Sequence, residues 1–162
     1  MKIGITGHQR LPQLSDWDWV NIEMHRVLEA LDPPLIGISS LAAGADQLFA
    51  EVVLERGGRL EVVIPFEGYE NTFTQPEDRE TYLSLLASAS DVEVLDKFGS
   101  EEEAYLTAGE RLVDGSDSLL AVWNGQPAAG LGGTADVVQY ARDNQKKIIH
   151  LNPLTREVTI SG

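Results

Sequence analysis

Short apolar runs alternate along the chain with longer stretches in which apolar residues recur every three or four positions. The short runs are continuous rather than alternating, which is typical of strands covered on both faces of a parallel sheet. The pattern predicts strands over 2–6, 35–39, 60–65, 91–95, 118–123 and 147–151, and an edge strand over 157–160.

The stretches between these strands have helical periodicity. A helix is predicted over 15–31, where Val20, Met24 and Leu28 share one stripe and Ser15-x-x-Asp18 forms a capping pattern. Further helices are predicted over 45–56, 76–89, 101–114 and 133–144. Regular alternation of strand and helix predicts βαβ units with right-handed crossovers. We therefore expect an α/β fold, a three-layer αβα sandwich with a Rossmann-like, mostly parallel sheet of about six or seven strands, formed as a single domain over 1–162.

Composition narrows the classes of partner. The 162-residue chain has 12 lysines and arginines against 26 aspartates and glutamates, a formal net charge of −14. Because cationic side chains supply most of the affinity for nucleic acid, this balance disfavours a nucleic-acid partner. The sequence has no cysteine and no paired-histidine spacing, so no metal site is predicted. No apolar run approaches the ~20 residues that cross a bilayer and no leader pattern opens the sequence, so we expect a cytoplasmic protein with no membrane partner.

The loops that follow the strands carry the candidate site, because ligands of open α/β sheets bind outside the carboxyl ends of the strands. After the first strand, Gly7, His8 and Arg10 could meet an anion, although the same residues suit a simple turn. After the second strand come small residues, two hydroxyls and a carboxylate, namely Ser39, Ser40, Gly44 and Asp46. This second loop predicts either ligand contact or close packing of a helix on the sheet.

The fifth strand leads into the stretch VWNGQPAAGLGGTADVV, in which a helix begins after several positions with little or no side chain. Free N–H groups at a helix start form an anion site that the helix dipole strengthens. The residues predicted to bind phosphate or to face it are Asn124, Gly130, Gly132, Gly133 and Thr134. The alternative is a glycine-rich turn that binds no ligand.

Aromatic residues and histidines leave two further alternatives. Phe66, Tyr69 and Phe73 follow the third strand and could stack on a nucleobase or form a satellite core. His25 lies inside a predicted helix and His150 inside a predicted strand, so both are interpreted as structural.

Two of the loops resemble motifs of known families. SSLAAGADQL is similar to the S-G-L-A-x-G-x-D signature of the DNA-processing protein A (Smf) family, and GLGGTADVV resembles the P-G-G-x-G-T-x-x-E motif of the Lonely Guy phosphoribohydrolases. The first match rests on Ser39, Leu41, Ala42, Gly44 and Asp46, the second on Gly130, Gly133 and Thr134. The chain as a whole resembles a stand-alone member of the SLOG superfamily, which joins the two families. The resemblance implies a Rossmann-like domain, a small-molecule nucleotide ligand and assembly as a homo-oligomer.

One departure from the Lonely Guy motif leaves the question of catalysis open. Val137 stands where the phosphoribohydrolases have their catalytic glutamate. Asp136 is adjacent, but one residue along a helix turns a side chain by roughly 100°. The leading hypothesis is a sensor or carrier domain that binds a nucleotide or a nucleotide-derived ligand. The alternative is a nucleotide-processing hydrolase that uses Asp46, Glu67 or Asp136 as a non-standard catalytic carboxylate.

Overall fold

The computed structural model describes residues 1–127 and 132–162, and all predicted strands and helices are present in it. The strands are β1 (Lys2–Gly7), β2 (Ile36–Ser39), β3 (Arg59–Ile64), β4 (Asp91–Val94), β5 (Ser118–Val122), β6 (Lys147–Asn152) and β7 (Glu157–Ser161). The helices are α1 (Leu14–Glu29), α2 (Ala45–Glu55), α3 (Pro76–Ala87), α4 (Glu101–Asp114) and α5 (Thr134–Asp143), with a short 3-10 helix at Tyr69–Thr72. Each predicted boundary lies within about two residues of the observed one, the usual uncertainty of an element's end.

The strands form one sheet in the order β4-β3-β2-β1-β5-β6-β7. Strands β1 to β6 run parallel to one another, and β7 is antiparallel to β6. From β1 the chain builds the sheet outward to β4, and it then returns to place β5 on the other side of β1. The order of the strands therefore reverses between β1 and β5.

The helices cover both faces of the sheet, as alternate side chains of β5 show. Leu120 and Val122 pack with residues of α1 and α2, whereas Leu119 and Ala121 pack with residues of α4 and α5. A strand buried on both faces needs apolar side chains at every position, which explains its continuous apolar run. The predicted α/β class and the three-layer, Rossmann-like arrangement are confirmed.

The capping pattern predicted for the first helix is wrong by two residues. The N-cap is Gln13, and its N–H donates to Asp16 Oδ2 at 3.0 Å. Asp16 is buried and also accepts a hydrogen bond from Arg156, at 3.0 Å. This long-range ion pair holds Asp16, rather than Asp18, in the capping position, and no local pattern could show it.

Gly44 determines how the loop after β1 lies on the start of α2. Its φ is 83°, and a Cβ added there would lie 2.5 Å from the Gln9 carbonyl oxygen. The Ala45 N–H donates to the His8 carbonyl oxygen at 3.1 Å. The two loops are therefore in direct backbone contact, which only glycine at position 44 permits.

We expect Gly44→Ala to lower the free energy of unfolding by about 3 kcal/mol, because it adds a clash with main-chain atoms to backbone strain. Gly57→Ala is the matched control, since Gly57 also has a positive φ, 75°, but no atom lies within 4 Å of the position that an added Cβ would take. The control should cost about 1 kcal/mol. Denaturant unfolding of both variants measures the difference, and equal losses would contradict the role assigned to the loop contact.

Candidate functional site

The carboxyl ends of β1 and β5 lie side by side at the point where the strand order reverses. The His8 N–H donates to the Val122 carbonyl oxygen at 3.1 Å, and the Asn124 N–H donates to His8 Nε2, also at 3.1 Å. From here the chain leaves β1 toward one face of the sheet and β5 toward the other. Open α/β sheets bind ligands in the crevice that this divergence creates.

A cleft of about 620 Å³ occupies this crevice, a volume in the range of small-molecule sites. Many of the predicted ligand-binding residues line it, from the loops after β1, β2 and β5. They are Gly7, His8, Arg10, Ser40, Asp46, Asn124, Gly132, Gly133 and Thr134. The structure thus brings three separate loops into one concave surface.

Ser39 and Gly44 do not line the cleft. Ser39 is fully buried, and its hydroxyl donates to the Asp46 carbonyl oxygen and accepts from the Leu41 N–H, at 3.1 and 3.0 Å. Gly44 lies against the backbone of the loop after β1. Both residues fix the conformation of the loop after β2 and lie outside the surface that a ligand would contact.

Two further candidate residues have positions in the structure that the sequence did not indicate. Glu67 is exposed and lies outside the lining of the cleft. The Asp136 carboxylate accepts a hydrogen bond from the Gly132 N–H at 2.9 Å, so it is engaged with the main chain just before α5. Gly130 lies outside the described residues.

The start of α5 presents main-chain donors to the cleft. Gly133 is its N-cap and has no side-chain cap, and the N–H groups of Gly133, Thr134 and Ala135 have no acceptor among the described residues. All three residues line the cleft. These donors carry the positive end of the helix dipole, so this end of the cleft favours an anion.

Asp46, in the first turn of α2, is an unusual carboxylate. Its side chain lines the cleft and accepts one hydrogen bond, from the Ala42 N–H to Oδ2 at 3.3 Å. Burial raises the pKa of Asp46 to about 7, against the opposing effect of the Ala42 hydrogen bond. This carboxyl group therefore changes charge near neutral pH, a property found often at functional sites.

His8 connects the two central loops through its ring. Burial lowers the pKa of His8 below its usual value, against the opposing effect of a side-chain hydrogen bond with Asn124. Because Nε2 accepts the Asn124 N–H, the neutral ring carries its proton on Nδ1.

We expect histidine-detected NMR to find His8 as the Nδ1–H tautomer with a midpoint below 6.5. Acidification should protonate Nε2 and break its hydrogen bond with the Asn124 N–H, because a protonated ring nitrogen cannot accept. A midpoint above 6.5, or an Nε2–H tautomer, would contradict this geometry.

The aromatic residues after β3 mainly pack on one another. Phe66 and Tyr69 are buried, and the Tyr69 ring centroid lies 6.0 Å from that of Phe66 and 5.4 Å from that of Phe73. Tyr69 and Phe73 border the cleft, whereas Phe66 does not. This arrangement favours the satellite-core interpretation for Phe66.

Some lining residues were missed in the sequence. Trp123 directly follows β5, lines the cleft and donates from Nε1 to the Gln126 carbonyl oxygen at 2.8 Å. Trp123 directly precedes Asn124, which was predicted to face the ligand, so its place in the sequence could have indicated that it lines the cleft. Val137 also lines the cleft and is buried against α4, where a Cβ on Gly109 would lie 2.6 Å from it.

Charged groups are sparse in the cleft. Arg10 is the one lysine or arginine among its described lining residues, and its guanidinium donates to Asp78 at 2.7 Å. Within 1–127 and 132–162, no three histidine, aspartate or glutamate side chains group as metal ligands would. None of the helices in these ranges combines the length and apolar character needed to cross a membrane.

Comparison with known proteins finds the same fold in solved structures. No family model and no curated protein matches the sequence. DNA processing protein A of Helicobacter pylori, which binds single-stranded DNA, matches 93% of this chain at 14% identity with a TM-score of 0.64. The DNA processing protein A of Streptococcus pneumoniae matches 92% of this chain at 14% identity with a TM-score of 0.64. The Moco carrier protein of Chlamydomonas rheinhardtii matches 93% of this chain at 16% identity with a TM-score of 0.55, and the match covers 75% of its own length.

These likenesses show the fold. They confirm the Rossmann-like fold that the resemblance to the SLOG superfamily implies. The chain spans 64% and 49% of the lengths of the two DNA processing proteins.

Proposed function

We propose that the cleft between β1 and β5 binds a nucleotide or a nucleotide-derived small molecule, and that the chain acts as a sensor or carrier of that ligand. The observation that carries the proposal is the set of N–H groups at the start of α5, which line the cleft and have no acceptor among the described residues. A phosphate there would accept hydrogen bonds from Gly133, Thr134 and Ala135 and would lie at the positive end of the helix dipole. The Thr134 hydroxyl adds a further donor.

The charges of the cleft favour a ligand with few phosphates. The guanidinium of Arg10 is already paired with Asp78, so main-chain donors carry most of the anion binding. A polyphosphate would meet little compensating charge in a chain of net charge −14. The same reasoning disfavours single-stranded DNA, although a protein of the same fold binds it.

A hydrolase is the second candidate because of Asp46. A carboxyl group with a pKa of about 7 can exchange a proton with a substrate near neutral pH. Asp136 is engaged by the Gly132 N–H, Glu67 lies outside the cleft, and Val137 offers no proton. Asp46 is therefore the carboxylate to test for turnover, and a carrier would bind the same ligand without converting it.

A thermal-shift screen tests the proposal. Nucleoside monophosphates, cyclic nucleotides, dinucleotides, ribose 5-phosphate and a short single-stranded DNA form the panel, with EDTA present and absent. A ligand at one hundred times its dissociation constant stabilises by about 2.7 kcal/mol, which raises the Tm of a chain of this size by roughly 5–10 °C. A shift with a mononucleotide supports the proposal, and incubation with it then tests for cleavage. No shift with any small molecule would contradict it.

A further inference from the structure

Two buried oxygen atoms in the cleft have hydrogen-bonding capacity that the fold leaves unused. Asp46 is 9% exposed and Tyr69 is 5% exposed, and both line the cleft. The Asp46 Oδ1 and the Tyr69 hydroxyl make no hydrogen bond to any described residue. Within the described residues only Ser118 Oγ is enclosed without a partner, so the oxygens of Asp46 and Tyr69 keep surface that faces the cleft.

The positions of both groups are fixed by packing. The Tyr69 ring centroid lies 6.0, 5.4 and 5.5 Å from those of Phe66, Phe73 and Tyr82. Burial, and after it the nearby Asp46 carboxylate, raises the pKa of Tyr69 well above its usual value. The Tyr69 hydroxyl therefore stays protonated as a donor in the same cleft as the Asp46 oxygen, which can accept.

We propose that Asp46 and Tyr69 bind the polar edge of a nucleobase or a nucleobase-like ring. Asp46 accepts an N–H of that ring, and the Tyr69 hydroxyl donates to an acceptor of the same ring. The inference rests on the proposed function, since it assigns the ring of the ligand whose phosphate lies at the start of α5. A planar ring carries both a donor and an acceptor on its edge for these two oxygens, whereas a phosphorylated sugar lacks such a rigid edge.

The test compares two ligands and three variants by calorimetry. The ligands are the mononucleotide that gives the largest thermal shift and ribose 5-phosphate, which has the phosphate without the ring. Tyr69→Phe, which removes only the hydroxyl, should weaken binding of the mononucleotide roughly three- to tenfold. Asp46→Asn should weaken it by about tenfold or more. Neither should change ribose 5-phosphate binding, whereas Gly133→Asp should weaken both ligands.

The outcomes separate this inference from the proposed function. If ribose 5-phosphate binds as tightly as the mononucleotide and Tyr69→Phe changes neither, the ring-edge inference is overturned while the phosphate site stands. If the wild-type protein binds neither ligand, the proposed function and the inference both fail. Melting curves of the variants establish that any loss comes from a folded protein.

A separate surface, the outer edge of β7, carries a second inference. The strand pairs only with β6 among the described strands, and all five of its residues are exposed. Val158 and Ile160 lie opposite Leu151 and Ile149 and so share the face covered elsewhere by α1, yet they are 41% and 64% exposed. An edge strand without lysine, proline or a bulge can pair with a further strand.

The sequence of β7 is complementary to itself. In an antiparallel pair of two β7 strands centred on Thr159, Val158 lies opposite Ile160 and Glu157 lies opposite Ser161, so apolar residues meet and like charges do not. The edge strand β4 is not complementary to itself in this way, because an antiparallel pair of two β4 strands about their midpoint sets Val92 opposite Glu93. We infer that β7 pairs with β7 of a second copy of this chain and extends the sheet across a two-fold axis.

A cysteine-free chain makes the test direct. Thr159→Cys should form an intermolecular disulfide under mild oxidation, because directly opposed residues of antiparallel strands are about 4.5–5.5 Å apart at Cα, within the reach of a disulfide. Val92→Cys, at an exposed site on the other edge, is the matched control and should stay monomeric. Sedimentation of the wild-type chain should give twice the monomer mass of 17.7 kDa. A wild-type monomer at about 100 µM, or equal cross-linking of both variants, would overturn the inference.

Discussion

Replacing Gly133 with aspartate should weaken phosphate binding at least about a hundredfold and leave the fold as stable as before. Gly133 is the N-cap of α5 with φ −72° and ψ 175°, a conformation open to any residue. Aspartate is among the preferred N-caps, and its carboxylate would accept the same N–H groups that we assign to the ligand. It would also place a negative charge where the phosphate lies, and a loss of about 2.7 kcal/mol corresponds to the hundredfold change.

Gly133→Asn separates two effects of the aspartate variant, namely occupation of the main-chain N–H donors and repulsion of the phosphate by negative charge. Asparagine caps the helix in the same way without a net charge, so it should weaken binding by only about tenfold. Calorimetry gives the affinities and thermal melting gives the stabilities. A folded Gly133→Asp variant that binds a mononucleotide with wild-type affinity would place the phosphate elsewhere.

Asp46→Asn should stabilise the ligand-free protein at pH 8 and have little effect at pH 4. The Asp46 carboxyl titrates at about 7 in the folded protein, against 3.8 without the fold. Between these values the folded chain holds a proton on Asp46 that the unfolded chain has released, so the contribution of this group to stability is fully present below about pH 4 and is lost as the pH rises to about 7. The shift sets a ceiling of about 4 kcal/mol on the gain from asparagine at pH 8.

The control for this prediction is Asp18→Asn, which makes the same change of charge at an exposed position of α1. It should alter stability by less than about 0.5 kcal/mol at either pH. Denaturant unfolding at pH 4 and pH 8 gives the comparison. If Asp46→Asn were no more stabilising at pH 8 than at pH 4, the carboxylate would not carry the burial penalty that we assign to it.

The fold could be predicted because its signals are local. Continuous apolar runs such as 118–123 indicate strands covered on both faces, and helices with apolar stripes separate them. The position of the cleft also agrees with a general rule, since open α/β sheets have their crevice where the strand order reverses, here between β1 and β5. Only the order of the strands had to come from the structure.

The roles of single residues in the loops depended on contacts that no pattern shows. Ser39 and Ser40 are adjacent in sequence, yet Ser39 is fully buried and bonded within its loop while Ser40 lines the cleft. Asp136 looked like a candidate catalytic group, but its carboxylate holds the Gly132 N–H. Tyr69 was considered for stacking, and the structure shows it packed edge-on against Phe66 and Phe73 while it lines the same cleft as Asp46.

An NMR titration of the amide groups with the best-binding mononucleotide tests the central claim most directly. We predict that the amide signals of Gly133, Thr134 and Ala135 shift most, together with those of Gly7 and His8 across the cleft, because the phosphate accepts hydrogen bonds at the start of α5. Saturable shifts at these amides would place the phosphate between β1 and β5. Shifts confined to other parts of the sheet, with these amides unchanged at saturation, would contradict the account.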